Sequence, residues 1–429
     1  MENTVGIGLL GAGTVGGALI RRLVEEHAAI AVKTGLDLEL RRVAVRHLAR
    51  TRPFALPADV VTDDPMAVVL DPTVGLVVEV MGGQEPAGDL VLAALDAGKP
   101  VVTANKELIA ARGPQLIAAA ERSGVSLLFE AAVGGGIPII RPLSETLAGE
   151  QISRVMGIVN GTTNFILTRM TDDGEDFAAA LEEAKALGYA EPDPTADVSG
   201  ADAAAKAAIL ASLAFGTWVG LDQVYREGIE HLTATDVQFA ADLGYVIKLL
   251  AVAERSGSGV SARVHPVMLP ADHPLAAIRG ATNAIFIEGP SVGELLFAGP
   301  GAGGEPTATA VLGDVIDAAR ELLAGAQVAP RIRISPGALA DFAEVATKWS
   351  VRLLVADRPG VLAAIASAFG DCDVSIKSVW QEGQGSEAAL LIGTHRAPEA
   401  RQRKAVEALR GLDVVRSVES VIRIESDEA

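Results

Sequence analysis

The chain has 429 residues. Since domains typically have about 150 residues, this length predicts two to three domains with a substantial core. Its 36 Lys and Arg residues against 55 Asp and Glu residues give a net charge of −19, which disfavours nucleic acid and other polyanions as main partners. The single cysteine, Cys372, excludes an intrachain disulfide, and no apolar run reaches the ~20 residues of a membrane span, so we expect a cytoplasmic protein without membrane contact.

The first 130 residues alternate strand patterns with helix patterns. Strands are predicted at 5–10, 38–45, 74–80, 100–103 and 126–129, and helices at 14–26, 87–97 and 107–123. Strands that recur with helices between them are typical of βαβ units, in which the strands lie parallel. We therefore expect the chain to begin with an α/β domain built on a parallel sheet.

Beyond residue 130 the pattern changes to Gly/Pro-rich loops, strands and long Ala-rich helices, which we place at 177–187, 201–214 and 236–253. Another helix, at 308–324, follows a glycine-rich turn, and we expect residues 300–325 to pack back on the first domain. The end of the chain has the order βαββαβ, which predicts a ferredoxin-like module. Domain boundaries follow at 1–135 for the first domain, 136–299 for an α/β substrate-binding and dimerisation domain, 326–348 for a linker and 349–429 for the C-terminal module.

A glycine motif follows the first predicted strand. Gly11-Ala12-Gly13-Thr14-Val15-Gly16 fits G-x-G-x-x-G, and of three such matches only this one ends a strand and opens a helix. In that setting backbone N–H groups and the helix N-terminus face a pyrophosphate. We predict a Rossmann-type NAD(P)-binding domain in which the cofactor is held by Gly11, Gly13, Thr14, Val15 and Gly16. The alternative is an ordinary strand-to-helix turn.

The second predicted strand ends at Arg46, where an acidic residue would accept from the ribose 2′-hydroxyl of NAD. Arg46 belongs to a basic cluster in an otherwise acidic chain, with Arg41, Arg42, Arg50 and Arg52. Guanidinium groups suit a 2′-phosphate by charge and by geometry. We therefore predict a preference for NADP(H) over NAD(H). A solvated strand end is the alternative.

The densest polar segment runs from Gly188 to Asp202, and Lys206 follows Asp202 by four residues. On a helix this spacing places both side chains on one face. An exposed ion pair is the alternative, but the neighbouring residues are mostly Ala, Ile and Leu, so we expect a partly buried lysine suited to proton transfer. A second lysine, Lys106, follows the strand at 100–103, and the ends of parallel strands face the ligand crevice.

At this point the sequence resembles the monofunctional homoserine dehydrogenases with a C-terminal ACT domain, over essentially the whole chain. The resemblance lies in six motifs in the right order: Gly11 to Gly16, Ala104-Asn105-Lys106, Glu130 to Pro138, Asn160-Gly161-Thr162-Thr163-Asn164, Glu191 to Lys206, and Gly299 to Gly303. It implies reversible NAD(P)H-dependent reduction of L-aspartate 4-semialdehyde to L-homoserine, on the route from aspartate to threonine, methionine and isoleucine.

The resemblance also implies residue roles. Lys206 would donate and accept the proton at the substrate oxygen, with Lys106 beside the nicotinamide. Glu191 and Asp202 would hold the substrate amino group and hydroxyl, Gly161 and Thr162 would support its amino-acid end, and Gly188 and Gly303 would approach the cofactor. A monovalent cation, usually Na⁺, would be bound by Glu130 and the carbonyls of Val133, Gly135 and Ile137, since hard cations prefer oxygen ligands. The alternative there is a tight loop between domains.

The C-terminal module has the turn Asp357-Arg358-Pro359-Gly360 between its first strand and first helix, and this resembles an ACT domain, a sensor of small amino acids. We expect L-threonine as a feedback inhibitor and a homo-oligomer, dimer or tetramer, formed through sheet edges. A dimerisation module that binds nothing is the alternative. Because no aspartate kinase module precedes the dehydrogenase, we expect a monofunctional enzyme.

Two competing functions can be weighed from the residues. Aspartate-semialdehyde dehydrogenase chemistry needs a thiol for its acyl-enzyme, but Cys372 lies in the C-terminal module. A catalytically inactive amino-acid sensor would have no need for the intact set of Glu191, Asp202, Lys106 and Lys206. Both arguments favour the dehydrogenase.

Overall fold

The computed structural model describes residues 3–49, 51–52, 54, 56, 59–257, 259–325, 331–383 and 386–425. The chain forms two units. The first comprises Met1–Val155, Ala205–Gln223 and Asn283–Gly337, and the second comprises Met156–Ala204, Val224–Thr282 and Ala338–Ala429. Each unit is built from three separate stretches of chain, which no linear series of boundaries represents, so the boundaries given above stay a prediction.

The first part of the chain has the expected alternation of strands and helices. The strands are β1 (Thr4–Leu10), β2 (Asp37–Ala44), β3 (Val61–Thr62), β4 (Leu76–Glu79), β5 (Val101–Thr103) and β6 (Leu127–Leu128). The helices are α1 (Thr14–Glu25), α2 (His27–Thr34), α3 (Pro65–Leu70), α4 (Ala87–Asp96) and α5 (Lys106–Ser123). The six strands form a parallel sheet in the order β3-β2-β1-β4-β5-β6, which is the Rossmann order. The predicted Rossmann-type fold is confirmed.

The middle of the chain supplies elements to both units. The strands are β7 (Arg154–Ile158), β8 (Tyr225–Arg226), β9 (Tyr245–Ser256), β10 (Gly259–Pro270), β11 (Thr282–Gly289) and β12 (Gly293–Pro300). The helices are α6 (Gly161–Asp173), α7 (Phe177–Ala186), α8 (Thr195–Val198), α9 (Ala201–Phe215), α10 (Ala234–Asp242) and α11 (Gly304–Ala324). In the first unit, α11 packs on α1 and its buried face, including Ala308, Val311 and Val315, joins the core of the parallel sheet.

The prediction of one helix at 236–253 is wrong. The helix α10 ends at Asp242, Gly244 adopts a left-handed conformation with φ of +78°, and the chain continues as the strand β9. This strand pairs with β10 along its whole length, and residues 247–253 are all buried. A strand buried on both faces has a continuous apolar run without a period of two, so its pattern resembles that of a helix.

The C-terminal module has the βαββαβ order expected from the sequence. Its elements are β13 (Ala346–Ala356), α12 (Val361–Gly370), β14 (Ile376–Glu382), β15 (Glu387–Thr394), the two-residue β16 (Ala397–Pro398), α13 (Glu399–Arg410) and β17 (Val415–Ile424). The strand order is β17-β13-β15-β14, and the two helices cover a core of their own. On its other side β17 pairs with β10, so the module continues the sheet of the second unit.

The linker predicted at 326–348 has more structure than expected. Residues 326–330 lie outside the described residues, as does most of the acidic end of the chain. Beyond them Leu339 pairs with Val260, and the ring of Phe342 stacks on Tyr225 at a centroid distance of 4.0 Å.

Among the described residues, no helix is long and apolar enough to cross a membrane.

Candidate active site

The glycine turn after β1 has the geometry that a pyrophosphate requires. Gly11 has a φ of +104°, and a Cβ atom at Gly16 would lie 2.2 Å from the Gly11 carbonyl oxygen, so neither position accommodates a side chain. A Cβ atom at Gly13 would meet nothing within 4 Å. Gly13 also caps α1 without any side-chain hydrogen bond to the first turn. The N–H groups of Thr14 and Val15 therefore begin a helix beside an open surface, which favours an anion.

A cleft of about 550 Å³ opens at this turn within the first unit. Gly11 and Gly13 line one part of it, and Arg46, His47 and Arg52 line another. Arg46 is exposed, and Arg52 donates a hydrogen bond to the carbonyl of His47 at 2.8 Å. The cleft thus joins the glycine turn to two arginines in the segment that follows β2.

The other arginines of the basic cluster have different partners. Arg41 pairs with Glu39, and Arg42 donates to Asp71 at 2.7 Å. Hydrogen bonds from Thr73 and then from Arg42 lower the pKa of Asp71 to about 2. Arg50 lies outside the described residues. The cluster predicted from the sequence is therefore divided, and Arg46 and Arg52 are its described members at the cleft.

Lys106 is fixed by its neighbours in the first unit. It is the first residue of α5 and half-buried, and Asn105 caps the helix by accepting from the Leu108 N–H at 3.1 Å. The Asn105 amide donates to the Gly83 carbonyl at 2.6 Å. Beneath it, the Thr103 hydroxyl donates to the buried Glu79 carboxylate at 2.6 Å. These contacts fix the direction in which Lys106 leaves the end of β5.

In the second unit a single amide group holds two carboxylates. The Asn160 side-chain NH₂ donates to Asp197 at 2.7 Å and to Asp202 at 2.9 Å. Asp202 lies in the first turn of α9, and Lys206 follows one turn later on the same helix, half-buried among buried alanines. The structure thus confirms the helical spacing of Asp202 and Lys206, although Lys206 lies in the part of α9 that belongs to the first unit. Within the second unit, Asn160 and Asp197 join Asp202.

The loop that carries Glu191 is anchored to α6. The buried hydroxyl of Thr162 donates to the Tyr189 carbonyl at 2.6 Å, and the rings of Phe165 and Tyr189 lie 4.9 Å apart. Glu191 is exposed two residues further on. The hydroxyl proton of Thr162 is therefore used by this loop, so the hydroxyl oxygen and the main-chain N–H are the groups with which Thr162 can contact substrate. Gly161, the first residue of α6, lies beside it.

Two glycines expected near the cofactor both have conformations that other residues rarely adopt. Gly188 is exposed after α7 with a φ of +77°. Gly303 is exposed and caps α11 with a φ of +116°. Gly188 follows α7 in the second unit, and Gly303 precedes α11 in the first unit.

The loop expected to bind a cation begins with a buried carboxylate. Glu130 accepts hydrogen bonds from the N–H groups of Ile139 at 2.5 Å, Ile140 at 2.7 Å and Arg141 at 2.9 Å. Gly134 and Gly135 have φ angles of +71° and +56°, so the chain turns sharply between Val133 and Ile137. No group of three or more His, Cys, Asp or Glu side chains suitable for a metal occurs among the described residues. Because residues 131–137 have no side-chain oxygen, main-chain carbonyls are the oxygen atoms that this turn can offer.

Four polar residues of these sites had no role predicted from the sequence: Glu79, Asn105, Asn160 and Asp197. The last three lie in motifs that carry the resemblance. Asn105 and Asn160 each precede a helical pattern, and that position favours Asn as an N-cap. Their amide partners lie 22 to 42 residues away, so only the fold brings them together.

Comparisons with protein-family models and with curated proteins all find homoserine dehydrogenases. A family model described as homoserine dehydrogenase matches residues 138–316, and another, described as homoserine dehydrogenase, NAD binding domain, matches residues 11–130. The chain is 48% identical over 430 residues to the homoserine dehydrogenase of Corynebacterium glutamicum, covering 99% of this chain and 96% of the relative. It is 39% identical over 428 residues to that of Bacillus subtilis, covering 98% of each.

Solved structures give the same result. The crystal structure of a homoserine dehydrogenase from Thiobacillus denitrificans superposes with a TM-score of 0.94 at 40% identity, covering 99% of both chains. A hyperthermophilic archaeal homoserine dehydrogenase in complex with NADPH superposes with a TM-score of 0.62 at 31% identity, covering 74% of this chain and 98% of that chain.

Proposed function

We propose, since this chain belongs to the homoserine dehydrogenase family, that Lys206 donates and accepts the proton at the substrate oxygen of that family's reaction. The reaction is the reversible NAD(P)-dependent interconversion of L-homoserine and L-aspartate 4-semialdehyde. The bound nicotinamide supplies or accepts the hydride at the substrate carbon. The Lys206 ammonium stabilises the developing alkoxide and protonates it, and the neutral amine takes the hydroxyl proton in the reverse direction.

The observation that carries this proposal is the arrangement at the start of α9. Asp202 is held by the amide of Asn160, and Lys206 follows one turn later in a half-buried position. A lysine ammonium in such a position can donate a proton to a developing alkoxide and take it back in the reverse reaction. With Asp202, the exposed Glu191 holds the substrate amino group and hydroxyl. Lys106, at the end of β5, assists beside the nicotinamide.

The amino-acid end of the substrate lies at the N-terminus of α6 in this proposal. Gly161 and Thr162 are the first two residues of that helix. The positive end of a helix dipole favours a carboxylate, and main-chain N–H groups there can donate to it. The assignment of Gly188 to the cofactor rests on the family resemblance.

Replacement of Lys206 tests the proposal. We expect Lys206→Ala to lower kcat for homoserine-dependent NADP reduction by about 10²- to 10⁴-fold, the usual contribution of a general acid–base group. The matched control is Lys185→Ala, because Lys185 pairs with Glu182 on the exposed face of α7. A Lys206→Ala variant as fast as the Lys185→Ala variant would overturn the assignment.

The cofactor preference proposed here is for NADP(H). Arg46 and Arg52 lie on the wall of the cleft beyond the pyrophosphate turn, where guanidinium groups favour a 2′-phosphate. An archaeal relative was solved in complex with NADPH. We expect Arg46→Asp to lower kcat/KM for NADP at least about tenfold while changing kcat/KM for NAD little, since only the lost phosphate contact differs. Arg41→Asp, away from the cleft, is the control, and an unchanged NADP to NAD ratio in Arg46→Asp would contradict the preference.

A monovalent cation, Na⁺, is proposed at the loop that follows Glu130. The Glu130 carboxylate already accepts three N–H groups, so its main-chain carbonyl, with those of Val133, Gly135 and Ile137, forms the oxygen donor set. Oxygen donors on a sharply turned loop suit a hard cation. NaCl should then raise the midpoint of thermal unfolding above its value in choline chloride at equal ionic strength. Equal midpoints would argue against the site.

The C-terminal module is proposed to be an ACT domain that binds L-threonine as an inhibitor. Its ferredoxin-like order and the turn from Asp357 to Gly360, where Gly360 has a φ of +92°, support this. We expect Asp357→Ala to weaken threonine inhibition of the full chain, whereas Asp371→Ala, at the far end of α12, leaves it unchanged. Inhibition equal in both variants would remove the turn from the proposal, and a parent enzyme that threonine never inhibits would remove the effector.

A homo-oligomer, dimer or tetramer, is also proposed. The strand β14 ends the strand order of the second unit, and Trp380 on it is 49% exposed. Sheet edges of this kind pair readily with a second copy. Sedimentation of the full chain as a monomer at micromolar concentration would contradict the oligomer.

The single, buried Cys372 suits a reducing compartment, and a cytoplasmic location completes the proposal.

A further inference from the structure

We propose that Asn160 is a positioning residue for the reaction, because its carboxamide holds the carboxylate of Asp202 in the orientation that faces the substrate. The inference rests on the proposed role of Asp202. It concerns a side chain that is 5% exposed and that lies between three elements of the second unit: α6, α8 and α9.

Every polar atom of the Asn160 side chain has a partner. Its oxygen accepts from the Thr163 N–H at 2.9 Å and so caps α6. Its nitrogen donates to Asp197 on α8 at 2.7 Å and to Asp202 on α9 at 2.9 Å. Carboxylates only accept and a backbone N–H only donates, so these partners fix which way the amide points. The amide therefore ties the start of α6 to two acidic groups on other elements.

The cap alone does not explain why this residue is asparagine. Asp is as good an N-cap as Asn, because both present an oxygen to the helix. Asp176 caps α7 and Thr233 caps α10 without any amide group. At position 160 the NH₂ group is what Asp would lack, and both of its known acceptors are carboxylates. Asn160 thus supplies neutral donors at a point where two negative charges converge.

A change from Asn160 to Asp separates the two roles. Asn160→Asp keeps the cap but places a third carboxylate against Asp197 and Asp202, with Lys206 one turn along α9. Carboxylates in contact tend to share a proton, and more so as the pH falls. At low pH that shared proton would therefore replace the hydrogen-bond donor that the amide supplied. Asn160→Ser also keeps a cap and removes the amide without adding charge.

We expect both variants to lower kcat/KM for homoserine at least about tenfold at pH 8, the factor for one lost hydrogen bond to a charged group. The KM for NADP should stay within about twofold, since the cofactor turn is elsewhere in the chain. In Asn160→Asp the loss should shrink as the pH falls, whereas in Asn160→Ser the pH profile should keep the shape of the parent's. Thermal unfolding of both variants, beside the control Asp176→Asn at the cap of α7, reports whether the fold survives the exchange.

Two outcomes overturn the inference. If Asp202→Ala keeps the parent's kcat/KM, the proposed role of Asp202 fails and the inference fails with it. If Asp202→Ala is impaired but Asn160→Asp and Asn160→Ser both keep the parent's kcat/KM and pH profile, Asn160 only caps α6, and the inference fails alone.

Discussion

At the scale of single residues, side chains that accept or donate several hydrogen bonds position the chemistry. Glu130 accepts three backbone N–H groups, and Glu79 accepts from Met81, Gly82 and Thr103. Such networks are worth more in a buried site than in water, because an unsatisfied group there costs about 1–3 kcal/mol. The side chains proposed to contact substrate or cofactor thus depend on others that do not contact it.

The spacing of functional residues along the chain could be recognised from the sequence, but the residues with which they form hydrogen bonds and ion pairs could not. The separation of four residues between Asp202 and Lys206 has a meaning on any helix. The basic cluster shows the limit: its five arginines are close in sequence, yet Arg41 and Arg42 pair with carboxylates, and Arg46 and Arg52 line the cleft. Which arginine finds a carboxylate depends on Asp71, 29 residues from Arg42.

A single buried residue, His265, should make the free energy of unfolding depend on pH. It is fully buried, its Nε2 has no hydrogen-bond partner among the described residues, and burial, then Arg423 and Arg263, lower its pKa to about 3. The unfolded chain binds this proton near pH 6.5, so the stability is fully present above pH 6.5 and is lost as the pH falls toward 3. We expect His265→Asn to make the fall in unfolding free energy shallower by up to about 1.4 kcal/mol per pH unit in this range.

The control is His395→Asn, because His395 is exposed in the same unit. Urea unfolding at a series of pH values between 6 and 4 gives the slope for each variant. The same slope in His265→Asn and the parent would show that this histidine is protonated in the folded chain.

At the scale of helices and strands, most helices and the short buried strands of the parallel sheet, such as β4 and β5, were predictable, whereas the long buried strand β9 was not. The prediction that joined α10 to β9 failed because the exposed Asp242 at the end of α10 suits the outer face of a helix as well as its end, so Gly244 is the clearer sign. The helix α2 was also missed, since its short apolar segment directly follows α1. In both places a glycine with positive φ, Gly244 or Gly35, was the available sign.

Gly244→Ala tests whether this glycine is needed for its conformation. A Cβ atom there would meet nothing within 4 Å, so the cost comes from the φ of +78° alone. We expect a loss of about 1–2 kcal/mol in the free energy of unfolding. Gly370→Ala is the matched control, because a Cβ atom at Gly370 also meets nothing within 4 Å and its φ is not positive. Equal stability of the two variants would mean that the backbone at 244 adopts another conformation at no cost.

At the scale of the whole molecule, a buried ion-pair network joins the C-terminal module to the rest of its unit. Arg423 on β17 is 4% exposed and donates to Glu399 at 2.7 Å and to Glu227 at 2.7 Å. Burial raises and the Arg423 and His231 contacts lower the pKa of Glu227, with a net value of about 2. The sequence indicated the module's own fold, but the residues that hold it to β10 are too far apart in the chain to be paired by pattern.

Arg423→Met should lower the free energy of unfolding by about 3–5 kcal/mol, because it removes the cation that the buried Glu399 and the half-buried Glu227 share. Arg416→Met removes an exposed arginine from the same strand, whose pair with Glu387 is 3.7 Å long, and should change stability by less than about 1 kcal/mol. Denaturant unfolding of the full chain measures both. A loss as small in Arg423→Met as in Arg416→Met would mean that water already solvates the network.

The proposed role of Lys206 is to carry the proton between water and the substrate oxygen. Turnover of the Lys206→Ala variant with L-homoserine and NADP, with and without an added small primary amine, tests this directly. We expect turnover to be nearly absent without the amine and to rise in proportion to the concentration of its neutral form, because the amine replaces the missing base. Turnover at the parent's rate without any amine would contradict the claim.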